Sequence, residues 1–74
     1  MQGKGTVNMN TGDVVWANFG DGDVLALYVE DAGEQADGTQ KDVIQAPDGA
    51  QRKLAYREPG DRDDAGAGLT WWQI

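Results

Sequence analysis

The chain of 74 residues carries 13 acidic against 6 basic side chains and no histidine or cysteine, for a formal charge of −7. That balance speaks against nonspecific attraction to nucleic acid or to anionic membranes, both of which reward cations. Serine is also missing, so most of the groups that do covalent or general acid–base chemistry near neutral pH are gone, and the chain is expected not to be an enzyme.

One small domain, residues 1–74, is expected, with residues 1–10 as a flexible arm. A domain this short buries only about 60% of its unfolded surface and usually needs a staple. Without cysteine it has neither a disulfide nor a thiolate metal site. Aromatic burial or association with a partner must substitute, and no cofactor is expected. No apolar run approaches the roughly 20 residues of a membrane helix. The opening Met1-Gln2-Gly3-Lys4-Gly5 lacks the apolar core of a secretory signal, so a cytoplasmic or virion location is expected.

Along the chain, short apolar segments alternate with Gly/Asp/Pro clusters, the pattern of short strands and turns. Residues 7–9 form a lead-in. Residues 13–19 read as a strand with Val15, Ala17 and Phe19 on one face and Val14 and Trp16 on the other. Gly20-Asp21-Gly22-Asp23 is a tight reversal. Residues 24–30 form the strongest strand, apolar on both faces, and their continuous apolarity places it centrally. Residues 31–40 hold no apolar side chain larger than alanine and read as an exposed loop. Residues 41–46 and 51–57 form a hairpin around Pro47-Asp48-Gly49. Leu54 and Tyr56 lie on its buried face, Lys53, Ala55 and Arg57 on its wet one. Residues 58–68 are a Gly/Asp-rich loop, and Leu69-Thr70-Trp71-Trp72-Gln73-Ile74 is the last strand.

Short antiparallel strands around one aromatic core favour an all-β fold, a small five-stranded antiparallel barrel of SH3-like type with acidic loops, because an open sheet would leave two edges unguarded. The stretch Thr11-Gly12-Asp13-Val14-Val15-Trp16-Ala17-Asn18-Phe19, a turn, then Val24-Leu25-Ala26-Leu27-Tyr28-Val29 resembles the opening hairpin of SH3-like barrels of the Tudor and PWWP type. That resemblance implies a reader of peptides or methylated lysine, with Trp16 and Tyr28 as the positions that could form part of an aromatic cage. In size and composition the chain is also similar to the small accessory and decoration proteins of phage virions, which implies a structural module docked on a larger protein assembly.

Asp61, Asp63 and Asp64 crowd one loop, but a calcium loop begun at Asp61 has Ala65 in place of a ligand and Trp72 where the closing glutamate belongs. These acids read as solvated turn residues. Residues 41–57 carry four cations and two anions, a local +2, against −9 for the rest. Lys53 and Arg57, with Arg52 nearby, therefore either neutralise acidic loops or form an oriented docking surface. Adjacent Trp71 and Trp72 must face opposite sides of a strand. One enters the core; the other is either covered by the loop at 31–40 or 58–68 or exposed, and in the second case it is, with Ile74, a candidate anchor for a protein partner or for self-assembly. A third function consistent with the charge is a nucleic-acid mimic that inhibits a basic protein.

Overall fold

The computed structural model describes residues 8–57 and 69–74, and every structural statement below concerns those residues. They form five strands, β1 (Val14–Asn18), β2 (Asp23–Glu34), β3 (Gln40–Gln45), β4 (Gln51–Tyr56) and β5 (Thr70–Trp72), closed into a barrel in the order β1-β2-β3-β4-β5. The fold is all-β, the small five-stranded barrel expected from the strand pattern and consistent with an SH3-like fold.

One expectation fails on topology. Strands β1 to β4 are antiparallel to their sequence neighbours and β5 is antiparallel to β1, but β4 and β5 run parallel. A ring with an odd number of strands cannot alternate direction all the way round. One parallel pair is unavoidable, so the barrel is mixed rather than antiparallel.

The ladder register explains the core. Val15 faces Ala26, Ala17 faces Val24, and Ala17 also faces Trp71 across the β1–β5 pair. Small residues on β1 and β2 leave the volume that the Trp71 indole fills, the pairing of small with large that narrow barrels need. Val15, Ala17, Ala26, Tyr28, Ile44, Leu54 and Trp71 form one buried cluster, with Met9, Phe19 and Tyr56 packed against it.

Strand β2 runs further than its apolar pattern. Residues 31–34 continue it and Gln40 opens β3, so most of the expected loop at 31–40 shrinks to a turn. Backbone pairing does not require apolar side chains, and bulges at Tyr28/Glu30 and Asp31/Gly33 absorb the shift in register. The turn itself is chemically the same as the one at 46–50. Gly38 N–H donates to Gln35 O and Gln35 N–H to Thr39 O; Gly49 N–H donates to Ala46 O and Ala46 N–H to Ala50 O. In each, an aspartate (Asp37 or Asp48) accepts the amide two residues on, and the following glycine takes positive φ, 88° and 94°.

Strand β2 is paired on both sides, as is every strand of a closed ring, and its outer face is open: Leu25 and Leu27 are 50% and 38% exposed. The expected arm is anchored at residues 8–10, since Met9 packs on the core and Asn10 N–H donates to Asp13 Oδ2 at 2.9 Å. Residues 1–7, the loop at 58–68 and its acidic cluster lie outside the described residues.

Candidate functional site

Strand alternation separates the candidate residues into an inner and an outer set. Tyr28 and Trp71 point into the barrel, where their rings meet at 5.5 Å between centroids, tilted by 54°. Tyr56 meets Trp71 edge-on at 4.8 Å. Such tilted contacts set ring edges against ring faces and add to the apolar burial.

Asp42, which the sequence reading passed over, ties this cluster together. Its Oδ1 accepts the Tyr28 hydroxyl and its Oδ2 the Trp71 Nε1–H, both at 3.1 Å. The carboxylate thus links β2, β3 and β5. Burial pushes its pKa up, against the lowering effect of those two hydrogen bonds, and the carboxylate of Asp31, its cross-strand partner, adds to the rise. Burial and the adjacent Asp42 charge push the Tyr28 phenol to about 12. The available signal was spacing: Asp42 lies two residues from buried Ile44, so it faces inward with it.

The outer set begins with Trp16, which neighbours Leu25 on one side and Trp72 on the other. Val14 neighbours Leu27 in the next row. Val14, Leu25 and Leu27 are the exposed members of this stripe, Val14 at 48%, and Trp16 is half-buried among them. Trp16 and Tyr28 therefore stand on opposite faces of the barrel wall, and the structure does not bring them together as walls of one groove.

Neither of the two adjacent tryptophans is left exposed as an anchor. They do face opposite sides, yet Trp71 is wholly buried and Trp72 is only 4% exposed. Part of the cover is Arg57, whose guanidinium carbon lies 4.4 Å from the centre of the Trp72 ring. Arg57 follows Tyr56, and Tyr56 pairs with Trp71 in the parallel ladder, so that ladder sets Arg57 beside Trp72. Its backbone N–H donates to Trp71 O at 2.7 Å. Arg57 is half-buried over the outward-facing Trp72, and among the described residues its Nε is buried without a hydrogen-bond partner. Lys53 remains exposed on the outer face across from Val43. Of the run 69–74, Leu69 and Ile74 are the exposed apolar residues, Ile74 at 75%.

Among the described residues no group of three or more acids gathers that could hold a metal ion. No described helix is long and apolar enough to cross a membrane. Fold and surface together define a small closed β-barrel with an apolar outer stripe. Compared with protein-family models, with curated proteins and with solved structures, the chain matches none.

Proposed function

We propose that this chain is a non-enzymatic interaction module, an accessory or decoration protein of virion type, that docks on a larger protein assembly through the outer face of β1 and β2. The observation that carries this reading is the exposed row Val14, Leu25 and Leu27 around half-buried Trp16. A small barrel has little reason to keep large apolar side chains in water on one face, and contiguous exposed apolar surface marks interaction sites. A tryptophan framed by aliphatic residues is a common centre for such contacts. The occupant is a different protein rather than a second copy, because two chains of formal charge −7 repel each other. Catalysis is disfavoured because Asp42, the described carboxylate whose pKa is raised, has both oxygens engaged by Tyr28 and Trp71.

The test places a photo-crosslinking amino acid at position 27 in the cell of origin, with and without Leu25→Lys. One predominant protein adduct, lost in Leu25→Lys, is the expected result. Adducts spread over many proteins in proportion to their abundance, or adducts to a second copy of this chain, would overturn the reading. Both side chains are exposed, so either change should alter stability by no more than about 0.5 kcal/mol.

A further inference from the structure

We propose that the open end of the barrel, between the β1–β2 and β3–β4 turns, binds an aliphatic cation: a primary ammonium or guanidinium on an apolar stem. A cavity of about 240 Å³ lies there, walled by Phe19 and Val24 on one side and by Ala46 and Pro47 on the other, with Asp21 and Asp48 also lining it. Val24 shares the inward direction of Ala17, its ladder partner, and Phe19 packs against the core. The wall is therefore the upper end of the core itself, a rigid apolar surface for a methylene stem. The Phe19 ring adds attraction for a cation.

Both turns are held in shape. Gly20 N–H donates to Asn18 Oδ1 at 2.7 Å, and Asn18 Nδ2 donates to Asp23 Oδ1 at 3.2 Å. Across the cavity Asp48 Oδ1 accepts Ala50 N–H at 3.0 Å. That bond uses one oxygen and leaves Oδ2 available to a ligand. A neutral apolar ligand would not use the two carboxylates. A bare divalent cation wants six or more oxygens and makes no use of the apolar wall. An amphipathic cation uses both, its stem on Phe19, Val24 and Pro47 and its head between Asp21 and Asp48. The source is either a free amine or a lysine or arginine side chain of another protein. The site is separate from the outer face of β1 and β2 and does not depend on that face being a docking surface.

An amide NMR titration of the whole chain with n-butylammonium chloride tests the site, with n-butanol as the neutral control. Saturable shifts of the Gly22, Val24, Ala46 and Asp48 amides are expected for the cation and not for the alcohol. Asp21→Asn should weaken binding by about two- to fivefold, the range of an exposed ion pair, with the remaining spectrum unchanged. A short lysine peptide and its norleucine counterpart separate the sources. Saturation by the lysine peptide at lower concentration than the free amine assigns a protein side chain, and the reverse assigns a small amine. Equal affinity for butanol, or unsaturable shifts spread over Asp31, Glu34 and Asp37, would overturn the proposal. Leu25→Lys, on the outer face and outside the cavity lining, leaves this site intact, so its failure and that of the outer docking face are distinguishable.

Discussion

Asp42 sits inside the barrel wall with two neutral donors and no cation, and its removal should be felt throughout the aromatic cluster. Asp42→Ala strands the Tyr28 hydroxyl and the Trp71 indole N–H. Each unsatisfied buried donor costs about 1–3 kcal/mol, so urea denaturation should show a loss of about 2–4 kcal/mol, with a smaller loss for Asp42→Asn, which keeps one acceptor. The pH dependence has a definite sign. Asp42 is raised in the fold, so its contribution is fully present below the unfolded carboxylate pKa and is lost as pH rises through the folded value. Asp37 is lowered, chiefly by the Thr39 hydroxyl, so its contribution is present above the unfolded pKa and lost as pH falls through the folded one. The two oppose each other in acid, and Asp42→Asn should leave a steeper acid loss. Tyr28 acts at the other end: its contribution is whole below the ordinary phenol pKa and disappears as pH climbs from 10.0 to about 12. Stability curves of the wild type and of Tyr28→Phe should therefore converge over that alkaline interval.

At the scale of elements, the two tight turns of β2–β3 and β3–β4 are the same device. Gly38→Ala and Gly49→Ala each force a side chain into positive φ and should cost about 1–2 kcal/mol in thermal or chemical melts. The sequence made the second turn legible through Pro47-Asp48-Gly49 but hid the first, although Asp37-Gly38-Thr39 is the equivalent signal. The acid-rich stretch around it lacked apolar alternation, and strand pairing there is carried by backbone bonds that leave no mark in side-chain type. Alternation along β1 and β4 was readable, and with it the buried face of Leu54, but which face of β1 turns inward was not, since both carry apolar side chains. The cover on Trp72 was not, because Arg57 reaches it only through the parallel β4–β5 register. Trp72→Ala should cost about 3–5 kcal/mol as a buried large-to-small change. Removing residues 72–74 should thus unfold the barrel rather than release a docking arm, a difference that a simple thermal melt separates.

For the whole molecule, closure matters more than any one contact. Five strands suffice to leave no strand with a wholly unpaired edge, which limits edge-to-edge aggregation in a short chain without cysteines. Closure also divides the surface. The interior takes the aromatic cluster, the outer stripe of β1 and β2 stays exposed, and one barrel end keeps a cavity lined by two aspartates. The overall fold class followed from strand and turn chemistry; the parallel pair follows only from counting strands round a ring.

Closing the ring through the β1–β5 pair has a kinetic consequence. Strands β1 to β4 can assemble through successive hairpins, each closing a short loop, whereas β5 must find β1 across more than fifty residues of chain. Trp71, the largest fully buried side chain, belongs to that last arrival. Thr70, whose hydroxyl donates to Ala55 O at 2.7 Å, offers a mild probe. Thr70→Val should speed unfolding and leave the folding rate nearly unchanged, while Gly49→Ala should slow folding. Stopped-flow tryptophan fluorescence would read both, and the reverse assignment would mean that the ring closes before its hairpins are made.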